Sequence, residues 1–280
     1  MKTLKSSFNI EGSGLMSALS ASLEIVPSRE KGIRFHIGGV TIPAALESVV
    51  STEHFVTLAT DNGGLLTKIA LVEHFMAACA ICGIEALDVH FNSQGFEFPI
   101  FDGSAKVWIE KFNDIGFVGE EEIANPLKDA IYFEKDKSFI AILPSEQPTK
   151  IVYSVNYDHP DLRNRWADST NIHEIVGART FGFLKDLDML QKAGYSKGVT
   201  IDNTVGLKDD GTYTTVLRSE FEPVKHKILD IIGDLYLSGY NPLKLNAKIV
   251  VKEAGHALHI EAAKILKDIL DQSRQNSQGS

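Results

Sequence analysis

The arrangement of apolar and polar positions predicts a chain that alternates between sheet and helix. Apolar residues alternate with polar ones through residues 14–26 and 33–42, which is typical of strands in an antiparallel sheet with one solvent-facing surface. Between residues 67 and 82 the apolar positions recur on one helical stripe instead, and Gly83 follows where glycine favours the end of a helix. We therefore predict two strands and a helix here, followed by a strand over residues 86–91.

The pattern then begins again in the second half of the chain. Helices are predicted over residues 183–193 and 224–238, and each is followed by a glycine. A helix, a glycine and a strand thus occur in the same order twice, at residues 67–91 and 224–251. The remaining predicted elements are a turn over residues 99–105 leading into a helix through residue 112, and strands over residues 130–142, 150–157 and 245–251.

The repeated order predicts the α+β class, with two halves that each consist of a sheet covered by helices on one face. We place the junction near residues 120–128 and assign residues 1–124 to a first domain and 125–271 to a second. Residues 272–280 are polar, which predicts a disordered tail.

Composition and charge narrow the classes of function. Apolar residues make up 44% of the 280 and charged residues 23%, the balance of an ordinary globular protein. The net charge of −9 argues against binding to nucleic acid or anionic lipid, since such affinity comes from neutralising phosphates. The first residues lack the apolar region of a secretory signal, and the longest apolar stretch, residues 69–84, is shorter than the roughly 20 residues of a membrane span. We expect a soluble, cytoplasmic protein without an integral membrane segment.

Two cysteines formally match the spacing C-x-x-C. Cys79 and Cys82 have no second pair and fall within the apolar stripe of a predicted helix. We interpret them as small buried apolar side chains; a redox or metal-binding role is the alternative.

The segment KHKILDIIGD (225–234) is the most informative about chemistry. His226 and Asp230 are four residues apart, so on a helix they share one face, and Asp234 lies one turn further along. An imidazole and a carboxylate at this spacing can form half of a zinc site. The alternative is a His–Asp pair on a solvent-exposed helix face.

A second candidate is Glu73 with His74, which interrupt an apolar helical stretch. Burying both groups without partners would be unfavourable. A metal ligand beside a carboxylate base would explain the pair, because the helix points the two side chains about 100° apart. The alternative is a pair at the edge of the buried stripe.

Two further segments carry candidate groups. His256 follows Gly255 between a strand and the last helix, where a histidine can act as a general acid or stabilise an oxyanion. In ARTFGF (178–183), Thr180 offers a hydroxyl and Arg179 a charge beside two bulky rings. An ordinary turn residue and core packing are the respective alternatives.

Taken together, these segments resemble one known family. The chain is similar to UDP-3-O-acyl-N-acetylglucosamine deacetylase, the zinc amidase of lipid A biosynthesis in Gram-negative bacteria. The resemblance spans residues 9–270, and ARTFGF with HKILDIIGDL (226–235) are its most specific parts. The other matching segments are GSGL (12–15), VEH (72–74), PIFDGSA (99–105), DHP (158–160), the continuation of ARTFGF to residue 194, IDN (201–203) and GHAL (255–258). The resemblance implies two β-α-α-β sandwich halves packed helix layer to helix layer, with the active site between them and a small insert in each half.

The resemblance also implies catalytic roles. It implies that His74, His226 and Asp230 hold one zinc ion per chain and leave one coordination position of the metal open for water. Iron could replace zinc in such a set. Glu73 would be the general base, and His256, oriented by Asp234, would stabilise the oxyanion and protonate the leaving amine. Thr180 would donate a hydrogen bond to the oxyanion.

Substrate recognition is the part in which this chain differs from the family pattern. The resemblance implies substrate contacts by Lys227, Phe181, Tyr157 and Val199, with Tyr157 stacking on the uracil. It also implies a passage for the acyl chain in an insert over residues 183–205. The positions that depart from the pattern are Met16, Leu71, Lys197 and Val199. A branched side chain and a cation in the insert would narrow that passage or make it polar.

The leading hypothesis is therefore zinc-dependent removal of acetate from UDP-3-O-(3-hydroxyacyl)-N-acetylglucosamine by a monomer. One alternative is a paralogous zinc deacetylase with a different N-acetylated amino-sugar substrate. The other is a non-catalytic binding protein on the same scaffold, although such a protein has no need for a base, an acid and an open metal site together.

Overall fold

The computed structural model describes residues 1–92, 95–121 and 125–278, which fold into helices and sheets of the α+β class. These residues form six α-helices: α1 (Glu73–Cys82), α2 (Lys106–Ile115), α3 (Ile172–Val176), α4 (Leu184–Lys192), α5 (Glu222–Tyr236) and α6 (His256–Gln278). Their strands are β1 (Thr3–Leu4), β2 (Phe8–Ser13), β3 (Ser20–Pro27), β4 (Gly32–Ile37), β5 (Val40–Pro43), β6 (Val49–Ser51), β7 (Thr57–Asn62), β8 (Leu65–Ala70), β9 (Ala86–Phe91), β10 (Phe117–Val118), β11 (Ile131–Lys135), β12 (Ser138–Pro144), β13 (Lys150–Val155), β14 (Arg165–Asp168), β15 (Thr180–Phe183), β16 (Thr204–Leu207) and β17 (Ala247–Lys252). Short 3-10 helices lie at Leu46–Ser48, Pro160–Leu162 and Pro242–Lys244.

Two five-stranded sheets share one strand order. The first runs β2-β3-β9-β4-β5 and the second β11-β12-β17-β13-β14, so the last strand of each sheet along the chain lies in its middle. Neighbours are antiparallel except for β4 with β9 and β13 with β17. A parallel pair needs a crossover connection, and each of these two crossovers contains the helix that precedes the middle strand, α1 or α5.

Helices α1 and α5 pack directly against each other. The crossing is close at Gly233, where an added Cβ would lie 2.0 Å from the backbone oxygen of Glu73. All residues of α5 are buried, its charged side chains included. The glycine therefore lets the N-terminal turn of α1 lie against α5, and the buried charges need partners there.

Each large sheet is accompanied in the chain by a smaller one. Strands β6, β7 and β8 form a three-stranded sheet before α1, while β15 and β16 pair in parallel on either side of α4. The segment after α4 contacts the loop after β2, because the backbone N–H groups of Lys197 and Gly198 donate to the carbonyls of Met16 and Leu15 at 3.1 and 2.9 Å. The second insert is thus tied to the first sheet at the edge of the candidate site.

Several predicted boundaries are wrong. The strand predicted over residues 14–26 begins at Ser20, because the Glu97 carboxylate accepts hydrogen bonds from the backbone of Met16 and Ser17 and holds a turn there. The helix predicted from residue 67 begins at Glu73, since the preceding residues form β8 and Leu71 has a left-handed backbone with φ of 62°. Strand β2, before the first predicted strand, was missed.

Two predicted strands are hairpins. Residues 33–42 divide into β4 and β5 at Gly38 and Gly39, which both have positive φ. Residues 130–142 divide into β11 and β12 around Asp136, whose φ is 55°. Short turns of this kind do not interrupt the alternation of apolar residues strongly enough to be read from the sequence.

The predicted tail and the predicted junction between the domains lie partly outside the described residues. The predicted disorder of the tail is wrong for residues 272–278, which continue α6, and residues 279–280 lie outside the described part. Residues 122–124 of the predicted junction, including the boundary at residue 124, also lie outside it. None of the helices in the described ranges combines the length and apolar character needed to cross a membrane.

Candidate functional site

The crossing of α1 and α5 brings three possible metal ligands together. His74 lies in the first turn of α1, while His226 and Asp230 lie on one face of α5. Their ligand atoms are all within 4.8 Å of one another; Asp230 Oδ1 lies 3.6 Å from His74 Nε2 and 3.4 Å from His226 Nε2. All three side chains are buried. A solvent-exposed His–Asp pair, the alternative for α5, is therefore wrong.

A backbone contact orients the His226 ring. Its Nδ1 lies 3.0 Å from the carbonyl oxygen of Ala178, so Nδ1 carries the proton and donates it. Nε2 is left with its lone pair facing Asp230, the arrangement commonly found in metal-binding histidines. Burial lowers the pKa of His226 to about 4, which keeps the ring neutral and able to bind a metal near neutral pH.

The second oxygen of Asp230 is occupied by a lysine. Lys227 Nζ donates to Asp230 Oδ2 at 2.6 Å, and both groups are buried. Burial alone would raise the pKa of Asp230, but the opposing effects of its neighbours, led by the charge of Lys227, outweigh it and hold the pKa well below its usual range. Asp230 is therefore an anion. Its Oδ1 faces His74 and His226, and its Oδ2 accepts the hydrogen bond from Lys227.

Glu73 faces the site from the first turn of α1. The backbone N–H of Val56 donates to Glu73 Oε2 at 3.2 Å, and Glu73 Oε1 lies 4.0 Å from His256 Nε2. Burial raises the pKa of Glu73, although the two histidines beside it, His256 and His74, partly oppose the shift. A buried carboxylate with a raised pKa is a stronger base than an ordinary glutamate, and Glu73 with His74 is buried rather than at the edge of the apolar stripe.

His256 is held at the start of α6 by a carboxylate of α5. Its Nδ1 donates to Asp234 Oδ2 at 2.8 Å, and its Nε2 points towards Glu73 and Asp230 at 4.0 Å from each. Burial lowers the pKa of His256, but the Asp234 carboxylate outweighs this effect and raises the pKa to about 9. Near neutral pH the ring is therefore a cation.

Thr180 begins β15 at the rim of the same site. Its hydroxyl donates to the carbonyl oxygen of Gly103 at 3.1 Å, and its backbone N–H donates to the same atom at 2.7 Å. A hydroxyl has one proton to donate. In this conformation the Thr180 hydroxyl can accept a hydrogen bond from a ligand, and it must rotate about χ1 to donate one.

A cavity of about 570 Å³ connects these groups to an apolar channel. Ten of the predicted site residues line this cavity: Glu73, His74, Tyr157, Thr180, Phe181, Val199, His226, Lys227, Asp230 and His256. The remaining one, Asp234, lies behind His256 and does not line it. The Phe181 ring meets the His226 ring edge-on at 6.0 Å between centroids, and Tyr157 packs against Phe181 at 5.6 Å. Side chains of α4, including Leu187 and Leu190, continue the wall away from the ionisable end.

Three of the positions that depart from the family pattern gather on one wall of this cavity. Met16, Leu71 and Val199 belong to a separate small apolar cluster, together with Leu15, Phe55 and Ile100. The side chain of Lys197 is exposed and is absent from the described lining, so only its backbone contacts this region. The departures make this wall apolar and add no charge to it.

Sequence reasoning noted Arg179 only for its charge and missed Glu222 and His259, which also shape the site. Arg179 and Glu222 form a buried ion pair, with Nε to Oε1 at 2.8 Å, that fixes the start of α5 beside β15. His259, to which the sequence assigned no metal role, is buried and donates from Nδ1 to Asp234 Oδ2 at 2.7 Å. Its position three residues after His256 on one helix was the available signal. Cys79 and Cys82 are buried free thiols, which confirms their interpretation as apolar side chains.

Comparison with known proteins gives a consistent result. A family model described as UDP-3-O-acyl N-acetylglycosamine deacetylase matches residues 1–268. A protein of Nostoc sp. named UDP-3-O-acyl-N-acetylglucosamine deacetylase is 34% identical over 278 residues, which are 93% of this chain and 96% of the relative. Proteins of the same name from Leptospira biflexa and Haemophilus influenzae are 34% and 32% identical, over 95% and 96% of this chain and 89% of each relative.

Proposed function

The chain belongs to the UDP-3-O-acyl N-acetylglycosamine deacetylase family, and from that membership we propose that it hydrolyses the N-acetyl group of UDP-3-O-(3-hydroxyacyl)-N-acetylglucosamine, releasing acetate, in lipid A biosynthesis. The observation that carries the proposal is the meeting of a buried base, a buried cationic imidazole and three metal-ligand side chains at one end of an apolar cavity. Amide hydrolysis near neutral pH needs a base for water, stabilisation of the oxyanion and a proton for the leaving nitrogen.

His74, His226 and Asp230 are the proposed ligands of one zinc ion per chain. Two imidazole nitrogens and one carboxylate oxygen form a donor set that zinc accepts, and iron is the alternative metal. The bond from His226 Nδ1 to Ala178 supports this role because it leaves Nε2 free. When bound, the metal supplies a water of lowered pKa and polarises the amide carbonyl.

Glu73 and His256 are the proposed base and acid. Glu73 Oε1 takes the proton of the attacking water, while the bond from Val56 keeps Oε2 fixed. His256, as a cation, stabilises the negative charge on the carbonyl oxygen and then donates its Nε2 proton to the leaving amine. Asp234 keeps that imidazole oriented and charged. Thr180, after rotation away from Gly103, donates a further hydrogen bond to the oxyanion.

The remaining lining residues are the proposed contacts to the substrate. Lys227 carries a buried positive charge at the ionisable end, and Phe181 packs beside His226. Tyr157 offers a ring face for the uracil, and Val199 with its apolar neighbours lines the path of the acyl chain. We expect the chain to work as a monomer on this small-molecule UDP-sugar.

A second candidate function follows from the apolar wall of Met16, Leu71 and Val199. These three departures from the family pattern lie together beside the cavity rather than scattered over the molecule. A paralogous deacetylase with the same chemistry and a different N-acetylated amino sugar would change this wall and keep the ionisable end.

We also propose that the two sheets mark two sandwich halves packed through α1 and α5, divided near residues 124 and 125. The shared strand order and the contact between those helices support this division. The metal ligands would then come from both halves.

Acetate release from UDP-3-O-(3-hydroxyacyl)-N-acetylglucosamine tests the proposal, with the metal content of the enzyme quantified. We expect turnover that a chelator abolishes and added zinc restores. Absence of turnover with one zinc bound per chain would overturn the substrate assignment and favour the paralogous deacetylase, which a panel of other N-acetylated amino sugars would then test.

A further inference from the structure

Behind the proposed catalytic imidazole lies a buried row of hydrogen bonds. Asp234 Oδ2 is 2.8 Å from His256 Nδ1 and 2.7 Å from His259 Nδ1. His259 Nε2 is in turn 2.8 Å from the hydroxyl of Tyr153, which also lies 2.8 Å from the carbonyl oxygen of Ala254. His259, Asp234 and Tyr153 are each completely buried, and none of them lines the cavity.

The protons in this row follow from the atoms that meet. Burial alone would raise the pKa of Asp234, but the two imidazoles outweigh it and lower the pKa, so the carboxylate is ionised and can only accept hydrogen bonds. Both Nδ1 atoms therefore donate to the same oxygen. Burial lowers the pKa of His259, so its ring is neutral with the proton on Nδ1 and a lone pair on Nε2. The single proton of the Tyr153 hydroxyl can go to that lone pair or to the Ala254 carbonyl oxygen, which lie at equal distances from it.

The orientation of the Asp234 carboxylate depends on these two donors. Among the described residues, its other oxygen, Oδ1, is buried without a hydrogen-bond partner. If His259 did not donate, the bond to His256 would be the only one in the described part of the chain that fixes the plane of the carboxylate. A carboxylate whose bonded oxygen has a single donor can turn about that bond, and the imidazole that it orients would turn with it. Two donors at the same oxygen restrict this rotation.

We propose that His259 is a positioning residue for the reaction: it donates a second hydrogen bond to the Asp234 oxygen that accepts from His256, and so fixes the direction of His256 Nε2. Tyr153, on β13, supports this tautomer of His259 when its hydroxyl donates to Nε2 rather than to the Ala254 carbonyl oxygen. The proposal rests on the proposed function, in which His256 is the acid. His259 itself does not contact substrate.

Metal binding by the same three side chains is a less suitable explanation. Asp234, His256 and His259 also bring possible ligand atoms within 4.8 Å of one another. However, the N–O distances of 2.7 and 2.8 Å are those of direct hydrogen bonds, which leave no room for an ion between the atoms.

Two substitutions at one position separate positioning from packing. In His259→Asn, the amide nitrogen can take the place of Nδ1 and donate to Asp234, whereas His259→Leu keeps a similar volume and removes the donor. We expect His259→Leu to lower kcat by about 10- to 100-fold, with KM within about twofold and zinc content unchanged, as for other partners of catalytic groups. His259→Asn should retain most of kcat. Equal kcat in the two variants, or equal losses in both, would overturn the proposal.

Imidazole NMR of the zinc-loaded enzyme without substrate tests the same geometry independently of turnover. We expect low-field Nδ1–H resonances from His256 and His259 in the wild type. In His259→Leu one should disappear and that of His256 should shift. An unshifted His256 resonance would overturn the proposal. If the wild type releases no acetate but the resonance shifts, the positioning is supported and the proposed function fails.

Tyr153→Phe provides a second variant if His259→Leu does not fold. It removes the partner of His259 Nε2 and leaves the donor at Nδ1 in place. We expect a smaller loss of kcat, of about threefold to tenfold, with a changed tautomer signal for His259. An unchanged tautomer of His259 and an unchanged kcat would contradict the role given to Tyr153 and to the hydrogen bonds that connect it through His259 to Asp234.

Discussion

At the scale of single residues, four ionisable side chains of the site each have one atom held by a hydrogen bond and another that faces the other ionisable groups: Glu73, His226, Asp230 and His256. Glu73 is held through Oε2 by Val56, and His226 is held through Nδ1 by Ala178. This division explains how buried charged groups are tolerated and still present a reactive atom. It also allows the roles to be separated by substitutions that keep the fixed atom and change the reactive one.

Glu73→Gln keeps an oxygen that can accept from Val56 and removes the base. We expect kcat to fall by about 10²- to 10⁴-fold, the usual contribution of general base catalysis, with zinc content unchanged. Acetate release and metal analysis on the same preparation measure both. A variant with wild-type kcat would show that the base is a different group.

The pH dependence of kcat/KM should be bell-shaped. Activity requires Glu73 ionised and His256 protonated, so it rises through the raised pKa of Glu73 and falls as pH passes about 9, the pKa of His256. Asp234→Asn removes the charge that raises the pKa of His256, so the alkaline limb should move to lower pH. An alkaline limb in the same place in both proteins would contradict the assignment of His256.

At the scale of secondary-structure elements, the site is a product of one helix crossing. Its proposed zinc ligands come from the first turn of α1 and from two turns of α5, and the crossing depends on Gly233. The helical spacing of His226, Asp230 and Asp234 was readable because it is local. The close approach of Gly233 to Glu73 was not, because it depends on a contact between residues far apart in the sequence.

Gly233→Ala tests the crossing. The added Cβ would lie 2.0 Å from the Glu73 backbone oxygen, so α1 and α5 must move apart, and we expect the free energy of unfolding to fall by about 1–3 kcal/mol. Zinc affinity should fall as well, because His74 moves with α1. Gly177→Ala is the matched control, since its Cβ would meet only an ordinary contact at 3.5 Å. Urea unfolding and zinc titration of the two variants measure the difference, and equal stability would contradict the close crossing.

The same distinction between local and long-range information explains which other predictions of secondary structure are confirmed and which are wrong. The helices predicted over residues 183–193 and 224–238 and the strand over residues 86–91 have strong local patterns, and they are confirmed within a few residues. The short helix α3 was not predicted. The start of α1 was misjudged because β8 is apolar enough to extend the helical stripe. The hydrogen bonds from Met16 and Ser17 to Glu97 join residues 80 or more positions apart, and no local pattern reports them.

At the scale of the whole molecule, the proposed zinc ion joins parts of the chain that are far apart in the sequence. His74 precedes the middle strand of the first sheet, and Asp230 precedes that of the second. Any ion bound there stabilises the folded chain relative to the unfolded one. Metal binding and global stability should therefore be coupled.

We expect zinc removal to lower the melting temperature. Free zinc at 100 times its dissociation constant contributes about 2.7 kcal/mol to the free energy of unfolding. Calorimetry with zinc, with a chelator and with magnesium measures this effect, and magnesium is the control because it prefers oxygen ligands. Identical melting temperatures with zinc and with chelator would contradict a zinc site formed by His74, His226 and Asp230.

The central position of the last strand in each sheet has a consequence for how the chain is made on the ribosome. Strands β12 and β13 emerge about a hundred residues before β17, which must then insert between them. Until it does, both strands expose unpaired backbone groups on their inner edges, where another chain could pair. His256 follows β17, so a nascent chain obtains the last member of its proposed catalytic set only after the last strand of its second sheet has been made.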